Sequence, residues 1–454
     1  MSPPSTTNPL KAIVNIRREE LPLTTAMFAY FFLVITTFWI LKPIKKLYFF
    51  EYYEQRTLAL FGADLGAAQA ELLAKVLNMV VAYGAVVVFS LLAKRLRRHR
   101  LTLCFSAGFG AAFVLYSLLL KQQTGLLAWT FYLFGDLYST VMVATFFAFL
   151  SDSVEPRTAR RVYGPIVLGG VAGGAFGTTV VAGWIEVLSY GQWLLVCLGV
   201  GAVIAATALY AGRHVERSWD AAPNPPGSDD RARESHPAWA GAKLVLRSKY
   251  LLSIVAIVAC YEIASTILDF QFSATCQHFA KEGIIDRNTY FTRTYAITNW
   301  VALLFQVFGT SVLLSRFRLT VPLMVLPMSA LTASGVFLIF PAVWSGAALN
   351  TADNGLNYSV NQSAREALYT AASADEKYKA KAFIDMFVQR FAKALAVGVS
   401  LAVTLAFEDF ATIRYLGLVT ALIIAVWAYM ARRAGNEFER RSHGEPSTAT
   451  PSTR

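Results

Sequence analysis

The chain has 454 residues and a formal net charge of +12, yet 56% of it is AVILMFWYC and only 15% is charged. Soluble domains carry about a quarter charged residues, so this composition excludes an ordinary water-soluble fold, and it excludes a disordered chain as well. A helix needs about 20 residues to cross the hydrocarbon core, and the sequence offers twelve apolar runs of that order.

In chain order the runs fall at 24–50, 74–93, 101–120, 127–150, 162–186, 191–211, 250–278, 290–315, 320–341, 342–364, 382–406 and 411–431. The first run is too long for a signal peptide and lacks a small-residue cleavage site, so it is expected to direct insertion as a span. The runs stand six and six around AAPNPPGSDDRARES, whose Pro, Gly, Ser and charged residues cannot bury enough apolar area to order themselves. The expected organisation is an N-terminal segment 1–21, a six-helix bundle 22–212, a flexible linker 213–249, a second six-helix bundle 250–432 and a tail 433–454. The predicted class is an all-α polytopic membrane protein with twelve transmembrane helices in two six-helix bundles.

Lysine and arginine give the orientation. Segments on the side of the N-terminus hold 29 of them and segments on the other side hold 10, a bias that places both termini in the cytoplasm. The same bias accounts for the net charge, so no nucleic-acid partner is implied. Cys104, Cys197, Cys260 and Cys276 lie singly in apolar runs, with no metal-ligand spacing, and are read as packing residues. No metal or cofactor is expected. GPIVLGGVAGG in run 5 is followed by no GK[ST], which rejects a phosphate-cradling loop. Its glycines, Gly169, Gly170, Gly173, Gly174 and Gly177, have the small-xxx-small spacing that lets helices approach. With no Ser-His-Asp triad, paired-carboxylate site or other reactive constellation, an enzyme is not expected.

Charged groups inside the membrane cost about 2.5–3.5 kcal/mol each on insertion scales, so each retained one needs a partner, a wet cavity or a function. Run 1 ends in LKPIKKLYFFEYY, and apolar residues continue beyond its lysines. Lys42 and Lys45 therefore lie within an extended helix, or else snorkel to the interface; Lys75 stands at the start of run 2. Asp136 lies about nine residues into run 4 among Phe131, Tyr132, Phe134 and Tyr138. It is a structural partner of Lys45 or Lys75, a proton carrier, or part of a solute site. Glu262 and Asp269 are two turns apart and share a face.

Asn350, Asn354, Asn357 and Asn361 recur at helical spacing with Asp353 beside them, so run 10 has a polar face along a water-filled path or against another helix. Tyr295, Asn299 and Gln306 share a face of run 8. Arg390 and Lys393, one turn apart in run 11, suit an anionic solute or the carboxylates Asp269 and Asp353.

Two six-helix halves joined by a long cytoplasmic linker resemble the major facilitator superfamily, in which alternating access comes from rocking the halves around a central site. KRLRRHR and SRFRL occupy matching turns of the two halves, and GPIVLGGVAGG resembles a pattern common in that superfamily's exchangers. More specifically, ILKPIKK, FGDLY, RRVYGPIVLGG, LDFQFSATCQHF and NYSVNQSAREALYTAASADEKYKAKAFID resemble the ATP/ADP translocase, or nucleotide transporter, family and its bacterial relatives, over most of residues 24–432.

That resemblance implies a bacterial inner-membrane protein and four charged transport positions: a lysine, two acids and a lysine. Lys45, Asp136 and Asp269 match the first three, each acid one methylene shorter than the family's glutamate. Asn357, or else Asn354, stands where the translocases carry the second lysine. The expected function is secondary transport of a small anionic solute, a nucleotide or other phosphorylated metabolite, with exchange as one mode. The candidate binding residues are Lys45, Lys75, Asp136, Asp269, Asn354, Asn357, Arg390 and Lys393. The alternatives are a proton-coupled carrier of another solute and a non-transporting membrane scaffold or sensor. The partners are the lipid bilayer and that solute, and the oligomeric state is left open.

Overall fold

A computed structural model describes residues 17–442 apart from 61, 97, 155, 221–237, 372–379, 382 and 407–409. In chain order the first half comprises α1 (Leu21–Tyr52), a hairpin of β1 (Leu58–Leu60) and β2 (Ala63–Leu65), α2 (Ala67–Arg95), α3 (Arg98–Leu119), α4 (Gly125–Ser153), α5 (Pro156–Trp184) and α6 (Tyr190–Asp220). The second comprises α7 (Ala238–Arg247), α8 (Lys249–Lys281), α9 (Arg287–Leu304), α10 (Thr310–Arg316), α11 (Thr320–Ile339), α12 (Val343–Leu356), α13 (Gln362–Leu368), α14 (Gln389–Ala406), α15 (Phe410–Ile413) and α16 (Leu416–Ser442).

Among the described residues eleven helical stretches are long and apolar enough to span a bilayer. The remaining expected span runs through α12, a π turn over Asn357–Asn361 and α13, with its apolar run interrupted by the asparagines. The expected linker is helical at both ends, since α6 continues to Asp220 and α7 covers Ala238–Arg247, while 221–237 lie outside the described residues. Contacts divide the chain into two units, Met1–Asp229 with Ala280–Leu303 and Asp230–Phe279 with Leu304–Arg454.

In unit 1, α1 is the central element. Its start carries Pro22, tolerated in the first turn because that N–H would have no helical acceptor. It then runs 32 residues, about 48 Å at the usual rise, straight through the internal Pro43. Tyr30 and Thr102 share a hydroxyl hydrogen bond of 3.0 Å, and Tyr48 donates to the Leu120 carbonyl at 3.1 Å, so α1 is fastened to α3 at two levels.

Against α5 it packs backbone to backbone. A Cβ on Gly173 would run into the Phe32 carbonyl oxygen, and one on Gly177 would stand 2.7 Å from the Thr36 oxygen. Thr36 instead donates to the Gly173 carbonyl at 3.1 Å. The glycines therefore pack helices, as their spacing predicts. The β1–β2 hairpin turns at Gly62, whose φ of 81° suits a residue without Cβ.

Unit 2 packs α8 against α11, α12 and α16 around Leu251, Ile254, Leu268, Leu323, Phe337 and Trp427, all buried. Tyr250 donates to the Leu368 carbonyl at 2.6 Å, and Gln271 reaches the Ile413 carbonyl at 3.0 Å. Among the described residues three π segments interrupt the helices of this region: Phe305–Gly309, Asn357–Asn361 and Ile384–Val388. Each adds a residue to a turn and shifts the phase of the helix beyond it. Large apolar side chains on the outer faces stay exposed, including Val80, Leu118 and Leu422, which suits surroundings of acyl chains rather than water.

Candidate functional site

The unit 1 residues singled out from the sequence come together around Tyr132. Lys45 on α1 is 4% exposed and forms an ion pair with Asp136 on α4. The Asp136 side chain is 25% exposed and that of Lys45 5%, so the lysine is the more deeply buried partner. Lys45 Nζ lies 4.3 Å from the centre of the Tyr132 ring, a cation–π contact that adds to the pair. Its aliphatic stem crosses Gly135, where a Cβ would come within 2.6 Å of Cδ. Of the three roles open to Asp136 from the sequence, partnership with Lys45 is the one this geometry displays.

The hydroxyl of Tyr132 donates at 3.0 Å to Glu71 on α2, which is 2% exposed. Glu71 Oε1 also lies 3.1 Å from Lys46 Nζ and 3.7 Å from Lys75 Nζ. Lys46 on α1 is 3% exposed, and its ammonium stands 5.2 Å from the Phe291 ring. One turn earlier, Lys42 lies 4.3 Å from the Trp39 ring and 5.3 Å from that of Tyr295. Unit 1 thus assembles ammonium groups, two carboxylates and aromatic faces.

Lys46 and Glu71 were not among the site residues read from the sequence. Glu71 escaped because the apolar run begins at 74, whereas α2 starts at Ala67, where the Gln69 side chain accepts from the Gly66 N–H at 2.7 Å. The signal that would have found it is its i,i+4 spacing to Lys75.

Unit 2 holds the other candidates. Glu262 on α8 is 7% exposed and pairs with Lys393 on α14 at 3.3 Å, and the Lys393 side chain is half exposed. Asp353 on α12 is 2% exposed and accepts a 2.6 Å hydrogen bond from Ser265. Asp269 and Arg390 are part-buried.

The asparagine stripe becomes two pairs: Asn354 donates to the Asn350 side chain at 3.0 Å, and Asn361 donates to that of Asn357 at 3.0 Å. Asn350 and Asn361 are buried, whereas Asn354 and Asn357 are part-exposed. The π turn begins at Asn357, so the straight-helix periodicity that joined all four in one stripe does not hold along the whole segment.

At the N-terminal end of α1, Arg161 on α5 forms an ion pair with Glu20, and this hydrogen bond holds the Glu20 carboxyl below its ordinary value. Among the described residues no group of His, Cys, Asp and Glu is placed to hold a metal ion.

The sequence model of the TLC ATP/ADP transporter family matches residues 124–341 and 328–438, well over half of the chain. This chain belongs to the TLC ATP/ADP transporter family. The TLC protein is 22% identical over 222 residues to ADP,ATP carrier protein 2 of Chlamydia trachomatis serovar D, a match covering 44% of this chain and 41% of the relative. The aligned part thus spans less than half of the curated relative's length.

Among solved structures, the nucleoside transporter NupG matches at a TM-score of 0.63 and 15% identity, covering 91% of this chain and 99% of that one. A bacterial homologue of the lysosomal transporter Spinster matches at 0.60 and 11%, covering 96% and 100%. The major facilitator superfamily transporter FucP matches at 0.52 and 15%, covering 92% and 99%. At these identities the likeness establishes the fold, and the TLC protein has the major facilitator fold. It is an integral membrane protein of a transporter family.

Proposed function

We propose that this TLC-family protein is a secondary transporter that moves a small anionic solute, a nucleotide or other phosphorylated metabolite, by alternating access, with exchange as one mode. It carries out no enzymatic reaction. It sits in a bacterial inner membrane with both termini in the cytoplasm, the side to which its Lys and Arg excess assigns them.

The observation that carries this reading is the unit 1 cluster, where Lys45, Lys46 and Lys75 stand beside Glu71 and Asp136 around Tyr132. Packing alone gives no reason to bring five ionisable groups out of water, since each costs kilocalories to insert. Several ammoniums on one anionic group are the chemistry of phosphate recognition, and aromatic faces beside them suit a base. Family membership and the name of the chlamydial relative, an ADP,ATP carrier, point the same way.

In this reading Lys45 and Lys75 attract the anion, Asp136 and Asp269 gate it or carry protons, and Asn354 and Asn357 orient the solute. Arg390 and Lys393 supply further positive charge.

Counterflow in proteoliposomes tests the proposal. Saturable exchange of labelled ATP or ADP against internal nucleotide supports it. Movement of another solute only when a pH gradient is imposed replaces it with proton-coupled transport. Absence of flux across nucleotides, phosphorylated sugars and inorganic phosphate leaves the membrane scaffold.

A further inference from the structure

Glu71 is bonded lopsidedly. Its Oε1 takes the Tyr132 hydroxyl at 3.0 Å, Lys46 at 3.1 Å and Lys75 at 3.7 Å, while its Oε2 is buried without a hydrogen-bond partner. A carboxylate whose task is to tie three helices together would spread donors over both oxygens, which between them offer about four acceptor sites.

The lysine contacts are also loose. Ammonium–carboxylate bonds settle at about 2.7–2.9 Å, and elsewhere this chain reaches that range: Lys381 bonds both oxygens of Glu366 at 2.7 Å, and Arg287 meets Glu54 at 2.8 Å. Lys45 and Asp136 form a tight pair within the same cluster, so the longer Lys46 and Lys75 contacts are particular to Glu71, which is almost wholly buried, where an imperfect pair is most costly.

We propose that Glu71 is an internal counter-anion that occupies Lys46 and Lys75 while the carrier is empty and yields them to a phosphate group of the arriving solute. This rests on the reading of unit 1 as the receiver of an anionic solute. Lys45 has Asp136 as its own counter-charge, and without Glu71 the ammoniums of Lys46 and Lys75 would repel each other in a poorly screened site. Were Glu71 perfectly satisfied, no phosphate could displace it.

The orphan Oε2 and the long lysine contacts place Glu71 between these limits. Tyr132 links the exchange to the neighbouring pair, because its hydroxyl holds Glu71 while its ring lies under Lys45. The same competition aids release, since Glu71 retakes the lysines as the phosphate leaves.

The test is Glu71→Gln in the full-length, detergent-solubilised carrier, titrated with inorganic pyrophosphate and with ATP by thermal shift, then assayed for ATP counterflow. Removal of the competitor should tighten anion binding roughly tenfold. In counterflow the half-saturation concentration and the maximal rate should fall together. Unchanged or weaker anion binding by Glu71→Gln overturns the proposal, because a purely structural carboxylate would lower the unliganded melting temperature without tightening the anion.

Should Glu71→Gln not fold, Glu71→Asp keeps the charge but withdraws it by one methylene from Lys46. It should bind pyrophosphate several-fold tighter than wild type, and equal or weaker binding refutes the idea. Pyrophosphate binding without ATP binding, with the same tightening, upholds the counter-anion and sinks the nucleotide reading. ATP binding of equal strength in wild type and Glu71→Gln does the reverse. If neither anion binds either form, both fail.

Discussion

The Lys45–Asp136 pair allows a double-mutant cycle whose outcome is ordered in advance by exposure. Removing one partner of a buried ion pair costs about 3–5 kcal/mol, mostly because the other charge is left without compensation. Here the two ends differ: the Lys45 side chain is 5% exposed and that of Asp136 is 25% exposed. Asp136→Asn strands the ammonium in the closed end, relieved only by the Tyr132 face, a contact worth about 0.5–2 kcal/mol. The expected loss is therefore about 2–4 kcal/mol.

Lys45→Gln leaves unpaired the more exposed of the two partners, for an expected loss of about 1–2 kcal/mol. In the double variant no charge is stranded and two amides can pair, so its loss should be smaller than the sum by at least about 1 kcal/mol. Equilibrium unfolding of the solubilised protein, followed by tryptophan fluorescence, reads all four corners. A larger loss for Lys45→Gln than for Asp136→Asn, or losses that add, would refute the reasoning. Transport should vanish in both single variants.

Gly173→Ala should lower the melting temperature by an amount equivalent to about 1–3 kcal/mol or more, because its Cβ meets the immovable Phe32 carbonyl. Gly183→Ala, with open space at its Cβ, should hold or raise it in the same thermal scan. Ser265→Ala removes a 2.6 Å hydrogen bond from the buried Asp353 and should cost about 1–3 kcal/mol in denaturant unfolding.

Lys393→Gln should change stability by less than about 1 kcal/mol, since its side chain is half exposed, yet slow counterflow; undiminished flux would remove Lys393 from the solute path. The carboxyl of Glu20 is held below its ordinary value of 4.5 by Arg161. Its contribution is therefore complete above that value and is lost as pH falls from 4.5 through the depressed folded value. Arg161→Gln should flatten the dependence of melting temperature on pH in that acid window, and an unchanged slope would show that the pair contributes nothing.

Much of this architecture is legible as a string because hydropathy is local. Twelve apolar runs announce the spans whatever their neighbours, the lysines beyond Pro43 reveal an overlong α1, and the glycine spacing of α5 marks a face that another backbone approaches. Site legibility is narrower. Lys45, Lys75 and Asp136 stand out because a charge in an apolar run is conspicuous, but Glu71 lies just before its run and is conspicuous only once α2 is seen to begin at Ala67.

The pairing within the asparagine run was not legible for a related reason, because neither the Asn350–Asn354 and Asn357–Asn361 bonds nor a π turn from Asn357 leaves a compositional mark. The sequence by itself thus determined which segments enter the lipid and which charges travel with them, because transfer free energy depends on side-chain composition over about 20 residues. Only the tertiary structure decided which charge meets which: that Asp136 takes Lys45, that Glu71 takes Lys46 and Lys75, and that Glu262 takes Lys393. Partnership depends on the rotation and depth of each helix against its neighbours, which packing sets across contacts distant in the chain.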